Sequence, residues 1–236
     1  MFDDGLRVSV ADRCLFMNPN NHHKLLTMYQ AMRKAHRHRH WWPGETNWEI
    51  MTGAILTQNT AWKNVEKAIA NLKKAGLLSI DGIRKTPLRK LARLIRPSGY
   101  FNQKAKKLKA LVQFIDDRYG GSLARMRRAE LEELRPQLLQ VWGIGPETAD
   151  SILLYALDKP IFVVDAYTKR ILQRHEMITE EDDYDSIQNF FMNQFPKDVA
   201  LYNDYHAQLV AVGHRYCGRS KTLCHQCPLN PFLPHP

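Results

Sequence analysis

The chain has 236 residues, 44% hydrophobic and 25% charged, which is enough to bury one good core or two modest ones and too apolar for a disordered chain. Its net charge of +10 at pH 7 argues for a polyanionic partner, and nucleic acid fits better than a membrane surface, since no apolar run is long enough to span a bilayer and no basic amphipathic anchor stands out. No leader is apparent and the four cysteines gather mainly at one end, which argues against a secreted disulfide framework and sets the expectation of a cytoplasmic protein.

In chain order, helical spacing of apolar residues first appears over 25–32. The basic run Arg33-Lys34-Ala35-His36-Arg37-His38-Arg39-His40 follows. It reads first as a solvated connector, with a phosphate contact as the alternative. Trp41-Trp42-Pro43-Gly44 then precedes a helix over 47–56, and Thr57-Gln58-Asn59-Thr60 breaks the apolar pattern as a polar turn, with Trp62 just beyond. Helices are expected over 65–75, 88–95, 104–119 and 128–141. Tyr100-Phe101-Asn102-Gln103 followed by Lys104, Lys106, Lys107 and Lys109 reads as a charged helix start.

Gly143-Ile144-Gly145 falls between that fourth pattern and another helix over 148–156, so it reads as a tight helix-to-helix turn. Glycine permits positive φ and close backbone approach there, and Pro146 suits the first helical position. Free amides at such a turn, with the helix dipole behind them, can grip a phosphate. A plain corner with no ligand is the competing reading. Residues 161–164 form a short extended stretch after Pro160, Asp165 opens the next helix as a good N-cap, and further helices fit 184–193 and 199–212. Strand alternation is scarce, which points to an all-α chain. Cys217-x6-Cys224-x2-Cys227 closes it.

The string Gly143-Ile144-Gly145-Pro146-Glu147-Thr148-Ala149-Asp150, together with Ile161-Phe162-Val163-Val164-Asp165, resembles the helix-hairpin-helix and following Gly/Pro-Asp region of the endonuclease III-like DNA glycosylases. The resemblance implies two helical lobes. One, over 45–160, would be a six-helix bundle ending in the hairpin, and the other would be discontinuous, 1–44 plus 161–236, carrying Asp165 and the cysteine loop. Double-stranded DNA with a damaged base would bind between them, Gly143, Ile144, Gly145 and Thr148 holding its backbone. It further implies that Asp165 faces the sugar of the damaged nucleotide and that Gln58 enters the duplex to fill the space left by the flipped base, whose extrusion costs a few kcal/mol. The passage around Lys104, Lys106 and Lys107 has a family counterpart that is mainly structural with some backbone contact, so these are weak phosphate candidates.

Glu147 stands where bifunctional members carry a lysine whose amine attacks C1′, and a carboxylate cannot form that Schiff base. The expectation is therefore a monofunctional glycosylase without AP lyase activity. Breaking the glycosidic bond builds positive charge on the sugar, which a fixed Asp165 carboxylate would stabilise while orienting water. Trp41, Trp42 and Trp62 read either as core aromatics or as walls stacking a cationic base, an attraction on the order of 0.5 to 2 kcal/mol. With Pro43 and Glu147 they are taken as base-pocket candidates. The Trp-Trp-Pro, Gln-Asn-Thr and Gly-Ile-Gly strings together look like the 3-methyladenine DNA glycosylase branch, which implies an alkylated purine as substrate. Glycosylases for uracil, mismatched thymine or adenine, a bifunctional enzyme, and a noncatalytic DNA-binding hairpin protein are the alternatives.

Cys217, Cys224 and Cys227 resemble the [4Fe-4S] loop of the same group, but the fourth cysteine's place is Leu233. Cys14, His225 or His235 could complete a set; zinc, or no metal, is the alternative. A cluster there would be structural, bracing Arg215, Arg219 and Lys221 against phosphates. Nothing in the sequence indicates an oligomer, so a monomer is expected.

Overall fold

The computed structural model describes residues 19–39 and 41–234. Twelve α-helices carry the chain among these residues: α1 (Pro19–His36), α2 (Asn47–Leu56), α3 (Trp62–Lys74), α4 (Ile80–Lys85), α5 (Leu88–Leu94), α6 (Phe101–Tyr119), α7 (Leu123–Arg128), α8 (Leu131–Leu139), α9 (Pro146–Ser151), α10 (Ala166–Arg174), α11 (Tyr184–Met192) and α12 (Val199–Arg215). No strand occurs among the described residues, so the all-α expectation holds. Residues 45–160 carry α2 to α9, eight helices rather than the six expected, because α4 and α7 are six-residue pieces too short to show periodicity.

Side-chain caps mark where half of the helices begin. Thr46, Ser79, Ser122, Asp165, Asp183 and Asp198 each accept a hydrogen bond from an amide in the first turn that follows, worth about 1 kcal/mol apiece. Two expected boundaries moved for local reasons. The pattern expected over 128–141 is divided, since Arg128 ends α7 and α8 runs only from Leu131 to Leu139. Beyond Ser151, α9 widens into a π turn, Ile152–Ala156, all of it buried; π turns often accompany functional sites.

One continuous core joins Leu25, Met28 and Met32 of α1 to Met51 and Ile55 of α2, Leu108 and Leu111 of α6, and Ile152 and Leu153 of the π turn. Each fully buried leucine or isoleucine contributes roughly 1.5–3 kcal/mol. Helix α12 packs on α1, on α10 and on the π turn. Its contact with α10 is close because Gly213 makes room for the Tyr167 ring: a Cβ at 213 would lie 2.3 Å from Cδ1 of Tyr167. Phe162, in the extended stretch between the π turn and α10, stacks on Phe191 of α11 at 4.1 Å between ring centroids.

A buried polar knot fixes the hairpin helix. Asp150 is fully buried and takes the Arg135 guanidinium in a fork, Nε to Oδ1 at 2.8 Å and Nη2 to Oδ2 at 3.1 Å. The Tyr184 hydroxyl (2.9 Å) and the Gln188 amide (2.7 Å) also donate to Oδ2. Gln188 donates further to the Phe162 carbonyl at 2.6 Å, and Tyr184 accepts from the Val164 amide at 3.3 Å. Helices α8, α9 and α11 are thus tied to the strand-like approach to Asp165.

Candidate active site

The hairpin between α8 and α9 is built as its residue types demand. Gly143 has φ +81°, and a Cβ there would sit 2.6 Å from Cγ of Lys107. Gly145 differs: its φ is −94°, and a Cβ would meet nothing within 4 Å. No contact among the described residues accounts for glycine at 145. Ile144 is buried and plugs the turn into the core, its amide bonded to the Val141 carbonyl at 3.0 Å. The amides of Gly143 and Gly145 have no partner within the described residues.

Gln58 lies against this turn. Its amide donates to the Gly143 carbonyl at 3.2 Å and to the Thr148 hydroxyl at 2.9 Å, while its oxygen accepts from the Lys107 ammonium. An open groove of about 1110 Å³ runs past Thr57 to Ala61, the hairpin glycines and Glu147, with Lys107, Arg170 and Arg219 as cations.

Asp165 caps α10. Its Oδ1 accepts from the Thr168 amide at 2.7 Å, and its Oδ2 lies 3.6 Å from Nε2 of His206 on α12. Burial alone would push its pKa up, but His206 and the Thr168 amide outweigh that and hold the carboxyl below its ordinary range. Asp165 is therefore ionised at neutral pH. The other ring nitrogen of His206, Nδ1, is hydrogen-bonded to the Tyr155 hydroxyl. Glu147 opens to the same space; burial first, and then the charge of Asp165, raise its pKa to about 7, with His206 opposing.

A cavity of about 750 Å³ brings Asp165, Glu147 and His206 together with Trp41, Trp42 and Trp62. Trp42 lies between two other rings, edge-on to Trp62 at 5.3 Å and tilted against Tyr155 at 5.1 Å. Three tryptophans, one glutamate and one aspartate that the sequence marks out in four separate stretches of chain line one space. Pro43 does not line it. His206, Tyr155, His36 and Arg39 were missed as parts of this site. His206 and Tyr155 sit in helical apolar patterns where either residue reads as ordinary core, and only their mutual contact singles them out.

Lys104 is corrected. It is 2% exposed, and its ammonium donates to the Leu56 carbonyl at 2.8 Å and to the Ser98 carbonyl at 2.7 Å, so it cannot reach a phosphate. It ends α2 from within, just ahead of the turn that carries Gln58. Lys106 is exposed but does not line the groove, whereas Lys107 does. The basic run is partly structural too: Arg33 pairs with the buried Asp204 at 2.8 Å, while Arg39 lines the cavity. His40 lies outside the described residues.

Cys217, Cys224 and Cys227 share one narrow cavity of about 20 Å³ with Leu233 and Arg174. Leu233 offers an isobutyl group where a cubane needs a ligand. The Arg174 guanidinium donates to Sγ of Cys217 at 3.0 Å and to the Gly218 carbonyl at 2.9 Å, closing the loop with protein contacts. Burial pushes the Cys227 thiol pKa up. Among the described residues no group of three or more His, Cys, Asp or Glu side chains could hold a metal ion. Cys14 and His235 lie outside the described residues. No described helix is long and apolar enough to cross a membrane.

Known proteins of the same shape and sequence fit this geometry. A Methanocaldococcus jannaschii protein named as a DNA repair glycosylase is 45% identical over 218 residues, covering 92% of this chain and 98% of that one. The H. pylori 3-methyladenine DNA glycosylase, solved with 1,N6-ethenoadenine bound, is 30% identical, with a TM-score of 0.71 over 83% of this chain and 97% of its own. An endonuclease III–DNA complex shares the fold, with a TM-score of 0.77 at 20% identity over 90% and 94% of the two chains. Residues 52–197 match the family described as HhH-GPD superfamily base excision DNA repair protein. The chain belongs to that superfamily and is a DNA glycosylase.

Proposed function

We propose that this superfamily member is a monofunctional glycosylase that hydrolyses the N-glycosidic bond of a flipped alkylated purine, such as 3-methyladenine, in double-stranded DNA. The observation that carries the reading is the cavity itself: an ionised Asp165 beside Glu147, not a lysine, beneath three indoles. A purine methylated at N3 or N7 is cationic in DNA, so the indole faces attract it, and it leaves as a neutral base without needing an acid. The bond from C1′ to the base nitrogen breaks with its electron pair going to the base. Asp165 then supports the positive sugar and accepts a proton from the water whose oxygen bonds to C1′. Glu147, half-protonated near pH 7, leaves Asp165 as the fully ionised carboxylate of the pair.

The hairpin amides would hold the phosphate backbone, with DNA lying across the groove between a 45–160 lobe and a lobe of 1–44 plus 161–236. In this reading Gln58 exchanges its bonds to Gly143, Thr148 and Lys107 for the interior of the duplex. The 30% identity to the H. pylori enzyme supports an alkylpurine over uracil or a mismatched thymine.

The experiment is to incubate the protein with duplexes carrying methylated purines, uracil or mismatches separately and to identify the free base. Release of methylated purines alone is expected, with an abasic site left uncut, and Asp165→Asn should abolish release while keeping DNA binding. Release of uracil or thymine in their place would overturn the substrate. Trapping of a covalent protein–DNA adduct by borohydride would overturn the monofunctional reading, and would direct attention to Lys63, which also lines the cavity.

A further inference from the structure

Tyr155, His206 and Asp165 form a line of polar groups running from the core to the cavity. Tyr155 (6% exposed) sits in the π turn and His206 (3% exposed) lies in the middle of α12, both among apolar neighbours. The Tyr155 hydroxyl bonds Nδ1 of His206, and Nε2 of His206 is fully buried with no hydrogen-bond partner, 3.6 Å from Oδ2 of Asp165. A buried ring nitrogen left without a partner costs roughly 1–3 kcal/mol, so its retention calls for a reason. The opposite oxygen of Asp165 is already fixed by the Thr168 amide, which leaves Oδ2 as the one His206 addresses.

We infer that His206 is a positioning residue for Asp165: it presents an N–H from Nε2 to Oδ2 and sets the rotation of the carboxylate toward the sugar, while the Tyr155 hydroxyl, donating to Nδ1, fixes that tautomer. The inference rests on the reading of Asp165 as the carboxylate that faces the sugar. Burial keeps the Tyr155 hydroxyl protonated far above neutral pH, and with Nδ1 of His206 as its hydrogen-bond partner we assign the hydroxyl as donor and Nδ1 as acceptor. The proton of the imidazole is then on Nε2, toward Asp165. At 3.6 Å the contact is an ion–dipole attraction rather than a formed hydrogen bond, and such contacts commonly tighten once substrate is bound. His206 itself transfers no proton; it acts through Asp165.

The test uses the full chain, with duplex DNA methylated by dimethyl sulfate as probe, and reads single-turnover base release separately from DNA dissociation. His206→Leu is expected to slow release about tenfold or more with the dissociation constant unchanged, and His206→Gln, whose amide can still donate, to recover much of the loss. Tyr155→Phe should fall between them. Release by His206→Leu within about threefold of the parent, or no recovery by His206→Gln, would overturn the positioning role. Asp165→Asn run alongside separates the two readings: full activity there sinks the role of Asp165 itself, whereas an inactive Asp165→Asn beside an unimpaired His206→Leu sinks only that of His206. Nitrogen-15 shifts of the His206 ring provide a readout that needs no turnover. A protonated Nε2 is expected, and a bare Nε2 would overturn the proposal whatever base the enzyme releases.

Discussion

Arg135→Ala tests whether the buried knot around Asp150 holds the hairpin in place. The substitution removes two of the four hydrogen bonds to a carboxylate with no solvent exposure, leaving only Tyr184 and Gln188 as donors. Removing one partner of a buried pair costs about 3–5 kcal/mol, because the remaining charge is uncompensated. For a chain of this size 1 kcal/mol moves Tm by about 2–4 °C, so a drop of roughly 6–20 °C is expected by calorimetry. The pH dependence has a definite sign. Burial already raises the Asp150 pKa against the opposing pull of Arg135, and without Arg135 it rises further. The native variant then binds protons more tightly than its unfolded chain, so its deficit shrinks as pH falls and grows as pH rises. Arg135→Lys, which keeps charge but loses the fork, should recover only part of the loss. A Tm within about 3 °C of the parent, or a deficit that widens as pH falls, would refute the reasoning.

The two hairpin glycines should separate by assay. Gly143→Ala must adopt positive φ and displace Lys107, costing about 1–3 kcal/mol in urea unfolding, whereas Gly145→Ala should leave stability unchanged and weaken DNA binding measured by fluorescence anisotropy. Lys104→Met removes an ammonium whose pKa burial has lowered to about 8. Since native Lys104 sheds its proton before the unfolded chain does, the parent gains stability as pH rises from about 8 toward 10 and the variant lacks that gain; the variant also leaves two carbonyls unpaired, so it should be the less stable at every pH. Glu147→Gln should remove an inflection near pH 7 from the single-turnover pH profile; persistence of that inflection would assign it to another group.

Much of the site could be read from the sequence because its parts announce themselves locally. A Gly-Ile-Gly between two helical patterns fixes a turn, and an aspartate after two valines fixes a cap, so Gly143 and Asp165 were placed without tertiary knowledge. Trp41, Trp42 and Trp62 were grouped by their nearness in sequence to Gln58, and the fold keeps that nearness. Lys104 misled because a lysine in a charged helix start looks solvated; nothing local records that the C-terminal carbonyl of α2 lies over it. His206 is 41 residues beyond Asp165 in the chain, on a helix whose apolar pattern absorbs it, so its contact exists only once α10 and α12 cross. The cysteine spacing and Leu233 in the fourth place are both legible in the sequence; what is not is the Arg174 guanidinium bonded to Sγ of Cys217, which arrives from α10.

The missing side chain at Gly213 sets how far His206 stands from the carboxylate it addresses. Gly213 lies seven residues after His206, on the same face of α12, and it lets the backbone of that helix come flush against Tyr167, two residues after Asp165. The separation between carboxylate and imidazole is therefore dictated by a helix-to-helix spacing, a mechanical gauge remote from the chemistry. A single methyl group added at 213 would wedge the helices apart and detune the cavity while every residue that lines it kept its identity. Natural or engineered variation in activity could thus arise at a position that touches neither base nor sugar.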